Sequence, residues 1–205
     1  MKTASEAVMF KHRGWIGILC LCSIATAVIL SAPWVAEDTL TDCIFDALGW
    51  VCFVLYVTFR LWATLYVGGR KGRELQTLGP YSLMRNPLYF GGLCFALATT
   101  LFFKSIALLM ATVLAAGIYA RWVITVEEHS LEQTFGHAFR EYARQTPRLF
   151  LCFSQYRAPR SVEVSFKALR GKARHLWLAS LVPFSAEVLM HLRTAAWWPH
   201  WFTLP

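Results

Sequence analysis

The chain has 205 residues, of which 57% are hydrophobic and only 16% charged; an ordinary soluble domain carries about a quarter charged residues and is excluded. The 9 Trp and 15 Phe exceed what a core of this size uses, and the length suits one domain. A formal charge of +8 suits nucleic acid or an anionic membrane surface, and the apolar runs decide for the membrane.

Crossing a bilayer takes roughly 20 apolar residues in a helix. Residues 15–35 follow Lys2, Lys11 and Arg13. They resemble a signal peptide but run too long for its apolar core, so a retained first span is expected. Residues 44–67 form a second candidate, with Arg60 as its one basic residue. A polar, glycine-rich stretch, 68–86, follows and holds Arg70, Lys71, Arg73, Glu74 and Arg85. Residues 88–103 are apolar but short. Lys104 and Ser105 mark a tight turn, and 106–126 is a fourth span with Arg121 near its end. Gly68 and Gly69 are expected to end the second span, and Gly91 and Gly92 to let the third and fourth pack as a hairpin.

The loops support this order. The first connection holds Glu37, Asp38 and Asp42 and no Lys or Arg, whereas the N-terminal tail, the second loop and the stretch after Val126 are basic. Four spans with both termini in the cytoplasm give that alternation. Residues 127–145 read as one amphipathic surface helix with Leu131, Phe135, Phe139 and Tyr142 on one face, ended by Pro147. Residues 161–175 are basic. Residues 176–192 are apolar but short and contain Pro183 and Glu187, so an interfacial or re-entrant helix is expected there. The Trp-rich end, 197–202, suits an interface. The fold class is thus an all-α polytopic membrane protein: a core over 1–150 with four transmembrane helices and a cytoplasmic amphipathic helix, then a basic, Trp-rich extension over 151–205.

Six cysteines, Cys20, Cys22, Cys43, Cys52, Cys94 and Cys152, show no paired metal spacing, and neither a disulfide nor zinc is expected. His129 and His137 lie eight apart with no third ligand, so no metal site is expected. The basic tail is expected on anionic lipid headgroups, with no nucleic-acid partner.

Polar residues gather in two places, 73–89 and 121–128, at the cytoplasmic mouth of the third and fourth spans. A hairpin of these spans makes Arg85 a neighbour of Glu127 and Glu128. Spacing alone leaves two readings open, an Arg–Glu clamp that holds the hairpin shut and a functional site. The order of the surrounding residues tips the balance. Gly79-Pro80-Tyr81, Arg85-Asn86-Pro87-Leu88-Tyr89, Glu127-Glu128, Leu131, Phe135-Gly136, Tyr142 and Pro147-Arg148 form a linked pattern. It resembles that of the isoprenylcysteine carboxyl methyltransferases and their relatives, the phospholipid N-methyltransferases.

The resemblance implies a helical membrane methyltransferase that takes S-adenosylmethionine from the cytoplasm and a lipid or lipidated substrate from the bilayer. The setting would be the bacterial inner membrane or the endoplasmic reticulum. Carried over by position, Tyr81, Asn86, Pro87, Leu88, Tyr89 and Glu127 line the cofactor site, with Arg73, Glu74, Leu75 and Gln76. Asn86 stands where the family has His, and it can bind but not titrate. Val123 stands where the family often has Arg, which leaves Arg121 as the nearest candidate for that contact. On charge, Glu127 suits the cofactor's amino group, and Arg85 or Arg73 its carboxylate. Tyr81 and Tyr89 offer flat faces to adenine or sulfonium. Glu128 is the general-base candidate for a protonated acceptor, or equally a solvated first-turn residue. Arg85, Glu128 and Arg121 are the catalytic candidates. No GxGxxG follows a strand, which excludes the soluble nucleotide-binding type of methyltransferase on pattern. Two rival readings are a nicotinamide-dependent membrane reductase related to the sterol reductases and a non-enzymatic membrane scaffold.

Overall fold

The structure, a computed structural model, describes residues 26–203 apart from 33, 69–73 and 163. The expected first span therefore lies mostly outside the described residues, as does Arg73. The described residues are mainly helical. Helix α1 spans Leu40–Val67, α2 Pro80–Leu83, α3 Pro87–Phe102, α4 Ile106–Tyr119, α5 Thr125–Phe135, α6 His137–Gln145 and α7 Phe166–Arg193. One pair of two-residue strands, β1 Ser31–Ala32 and β2 Phe202–Thr203, lies parallel with Ser31 opposite Phe202.

Local chemistry sets the helix ends. Thr39 caps α1 by accepting from the Asp42 amide at 3.2 Å, and Asp42 adds charge to the first turn. The helix stops at Gly68, as expected. Pro87 opens α3 from the first helical position, where its missing N–H costs nothing. Lys104 turns the chain with φ 51°, and Ser105 caps α4 by accepting from Leu108 N at 3.3 Å.

Helices α1, α7 and the continuous run Ile106–Phe135 are each long and apolar enough to cross a membrane, and α3 is a shorter apolar helix. They are inside out relative to soluble helices. Leu48, Val51 and Val54 of α1, Val113, Leu114 and Ile118 of α4, and Leu181, Phe184 and Val188 of α7 are all exposed. Such a surface suits lipid rather than water.

Three expectations are revised. First, α3 packs chiefly along α1 and not along its hairpin partner α4. Gly91 explains this: a Cβ there would stand 3.5 Å from Tyr56 O and 3.6 Å from Arg60 N, whereas at Gly92 it would meet nothing. Second, residues 127–145 are not one surface helix. Helix α5 continues the fourth span through a π-helical turn at Ala120–Ile124 and ends at Gly136, whose φ of 54° breaks the chain before α6.

Third, the C-terminal helix is not short. The basic residues after Ser165 join the apolar ones in one 28-residue helix, α7. Its Leu176, Ala179 and Ala186 share a core with Phe53 and Tyr56 of α1 and Cys94 and Ala98 of α3. Packing on neighbours makes the internal Pro183 tolerable, and Glu187 lies within two turns of the helix end. The C-terminus consequently does not return to the side of the 74–89 loop. Arg193 donates to Ser31 O at 2.8 Å, Trp198 Nε1 to Ile29 O at 2.9 Å, and Nδ1 of His191 lies 3.6 Å from Glu37. All of these sit at the end of the bundle where α1 begins.

Lys104 is buried at that same end and binds Asp42 and Asp46 of α1. Burial opposes its charge, but the two carboxylates outweigh burial and hold its pKa above the ordinary 10.5. The folded pKa is raised, so this stabilisation is complete below pH 10.5 and is lost as pH rises through the folded value. Lys104→Met is expected to cost on the order of 2 kcal/mol near neutrality. In thermal melts the gap between wild type and variant should close as the buffer is taken above pH 10.5.

Candidate active site

At the opposite end of the bundle a narrow cleft of about 90 Å³, partly open to solvent, lies between the loop before α2, the start of α3, and helices α5 and α6. The structure brings into it Glu74, Leu75, Gln76, Tyr81, Arg85, Asn86, Pro87, Leu88, Tyr89, Glu127 and Glu128. Arg121 is not among them; it lies exposed on the π-helical turn.

The loop that carries Tyr81 is held tightly. Gly79 has φ 60° and ψ −127°, a backbone that L-residues rarely adopt. A Cβ there would sit 2.2 Å from the Tyr66 ring. A strap made of the segment after α6 runs antiparallel beside this loop. Arg85 N donates to Pro147 O at 2.8 Å, Cys152 N to Leu83 O at 3.1 Å and Gly79 N to Arg157 O at 2.8 Å. The Ser82 hydroxyl accepts from Arg157 N at 3.0 Å. Tyr142 of α6 donates to Tyr81 O at 2.7 Å. Burial raises the pKa of both phenols, Tyr81 also through Glu127 and Tyr142 through Tyr81. Both stay protonated, and Tyr142 acts as a donor.

The start of α3 is tied to α5 by one carboxylate. Asn86 occupies the N-cap position of α3 but does not cap it. Its amide instead donates to Glu128 Oε1 at 2.8 Å and to Arg148 O at 3.2 Å. Arg148 grips Glu128 Oε2 from Nε at 3.0 Å and from its terminal nitrogen at 2.7 Å, and donates to Thr125 at 3.3 Å. Nε of Arg85 lies 3.6 Å from Glu128 Oε1. Glu128 is only 6% exposed. It is not a solvated first-turn residue, and both of its oxygens are engaged by Asn86 and Arg148. The π-helical turn just before it inserts a residue into the helix and so re-aims Glu127 and Glu128 relative to the span.

Glu127 turns the other way. It accepts from the Tyr89 hydroxyl, and Tyr89 packs on Tyr119 with centroids 5.7 Å apart. Arg85 completes the polar set. It lines the cleft, and its Nε makes no hydrogen bond.

Sequence reasoning gave no site role to Val67, Leu131, Phe139, Tyr142 or Arg148. The first four line the cleft, and Phe139 is buried. A signal for Arg148 was present: adjacent Glu127 and Glu128 at a membrane boundary need more than one cation, and Pro147-Arg148 closes the linked pattern.

The sequence profile of the phospholipid methyltransferase family matches residues 44–138. The chain is 29% identical over 204 residues to the nickel-cobalt-cadmium resistance protein NccN of Alcaligenes xylosoxydans xylosoxydans, covering 98% of this chain and 93% of that protein. It is 36% identical over 176 residues to the cobalt-zinc-cadmium resistance protein CzcN of Cupriavidus metallidurans, covering 85% of this chain and 71% of that one. No solved structure matches the chain.

Proposed function

This chain belongs to the phospholipid methyltransferase family of integral membrane proteins, and we propose that it transfers a methyl group from S-adenosylmethionine to the polar end of a membrane-partitioned amphiphile. The observation that carries the reading is the charge arrangement of the cleft. A carboxylate, Glu127, and a guanidinium, Arg85, line one open space with the aromatic faces of Tyr81 and Tyr89. A zwitterionic amino acid joined to a flat base fits that set.

When bound, the cofactor supplies an electrophilic methyl on a sulfonium. The protein's part is alignment and fixed electrostatics. Glu127, steadied by Tyr89, holds the amino group, and Arg85 holds the carboxylate. Tyr81 and Tyr89 offer ring faces to the cationic end. The strap keeps the Gly79–Arg85 loop from opening to water. Glu128 acts as a positioning residue, because its oxygens are engaged by Asn86 and Arg148. The methyl acceptor is then best an anion or a neutral group that needs no base. Arg121 has no contact with the cleft through which to act.

NccN and CzcN are named for resistance to nickel, cobalt, zinc and cadmium. For this chain we place that connection in modification of the membrane. Among the described residues no group of three His, Cys, Asp or Glu side chains is arranged to hold a metal ion.

Calorimetric titration of S-adenosylhomocysteine into detergent-purified protein tests the proposal. Saturable binding is expected, as is transfer of label from methyl-labelled cofactor into lipid extract. Well-folded protein that binds no S-adenosylhomocysteine, with or without lipid, and binds a nicotinamide cofactor instead would replace this reading with the reductase one.

A further inference from the structure

We infer that Arg60 anchors the anionic group, a phosphate or carboxylate, of the membrane-borne methyl acceptor beneath the first turn of α3, next to the cleft; the inference rests on the methyltransferase reading above. Arg60 is the one basic residue of α1. It shares a helix face with Thr64 and Val67, at spacings of four and seven residues. Val67 lines the cleft. Seven residues of helix rise bring Arg60 about 10 Å deeper into the bundle than Val67.

The guanidinium donates from one terminal nitrogen to Leu88 O at 3.2 Å, and Leu88 is a cleft residue. Its Nε is buried without a partner, and it forms no ion pair among the described residues. The side chain is half-buried, so the rest of the fork can be reached. One neutral carbonyl leaves the full charge uncompensated within an apolar span, which is costly unless an anion completes it. A purely structural role does not account for this. Gly91 already brings α3 against the α1 backbone beside Arg60, and a neutral donor would serve Leu88 O equally well. Nor does the side chain snorkel toward the helix end, as a lipid-facing Arg would; it folds onto the first turn of α3.

Two guanidiniums therefore flank that turn. Arg85 precedes it on the cleft side, and Arg60 lies beneath it on the membrane side. A planar fork suits the bidentate geometry of a phosphate or carboxylate. The arrangement separates two anions, the cofactor's carboxylate at Arg85 and the acceptor's headgroup at Arg60, with the first turn of α3 between them.

The test titrates octyl phosphate, octyl glucoside and inorganic phosphate into full-length protein in neutral detergent, for wild type, Arg60→Gln and Arg60→Leu. S-adenosylhomocysteine is titrated into each in parallel. Arg60→Gln keeps a donor for Leu88 O and so guards against a folding defect. Octyl phosphate should bind wild type, and its affinity should fall roughly tenfold or more in both variants. Octyl glucoside should show no difference, and S-adenosylhomocysteine should bind all three alike. Inorganic phosphate binding as tightly as octyl phosphate, and losing affinity in the same variants, would keep the anion site but make its source soluble, overturning the membrane-borne acceptor. Equal octyl phosphate affinity in wild type and both variants, with S-adenosylhomocysteine still bound, would overturn the role of Arg60. Failure of wild type to bind S-adenosylhomocysteine would instead sink the methyltransferase reading, whatever the amphiphile does.

Discussion

Glu128→Leu is expected to destabilise the protein by roughly 2–3 kcal/mol, less than the loss of one partner from a fully buried ion pair, because water reaches the Arg148 side chain, which is 37% exposed. Three side chains meet at this carboxylate: Asn86 at the start of α3, Arg148 after α6, and Arg85 alongside at 3.6 Å. Leucine would leave the Arg148 guanidinium and the Asn86 amide facing an apolar side chain. Thermal unfolding in detergent should show a large fall in midpoint, with S-adenosylhomocysteine binding lost in parallel because both walls of the cleft hang on this residue. The pair with Arg148 makes the cause checkable. In Glu128→Leu/Arg148→Leu no charge is stranded, so the double variant should be more stable than Glu128→Leu alone. A double variant as unstable as the sum of the singles would mean that the two residues act separately and that the strap's backbone bonds hold the cleft.

The cleft was legible in the sequence for a physical reason. In so apolar a chain, polar residues at span ends stand out, and their order from Gly79 to Arg148 carried the rest. Arg121 was placed by analogy with a position three-dimensionally filled by Val123. The π-helical turn that contains both residues cannot be seen in hydropathy, and it leaves Arg121 exposed. Pairing of α3 with α1 was hidden because adjacency in sequence favours a hairpin, while the deciding contact is one glycine, Gly91, against a backbone some thirty residues earlier. The full length of α7 was hidden because Pro183 and Glu187 were weighed alone. Packing on α1 and α3 overrides both, and with it the C-terminus moves to the end of the bundle away from the cleft. The strap was missed because backbone bonds such as Cys152 to Leu83 leave no mark on residue type.

Glu127→Gln should separate binding from folding where Glu128 joins them. Glu127 lines the open cleft and accepts from Tyr89, so the amide is accommodated in place and the melting midpoint should move little. Replacing a carboxylate that receives an ammonium forfeits a charge-assisted hydrogen bond, worth about 1.5–3 kcal/mol, or roughly a 10–100-fold weaker S-adenosylhomocysteine. Tyr89→Phe removes only the hydroxyl that steadies Glu127 and keeps the ring, so its loss should be a few-fold. Combining the two should cost scarcely more than Glu127→Gln alone, since the hydroxyl acts through the carboxylate. Tyr89→Phe losing as much as Glu127→Gln would shift the main contact from the carboxylate to the phenol. Glu127→Gln with unchanged affinity and an unchanged midpoint would make the carboxylate a bystander and leave Arg85 and the aromatic faces to hold the cofactor.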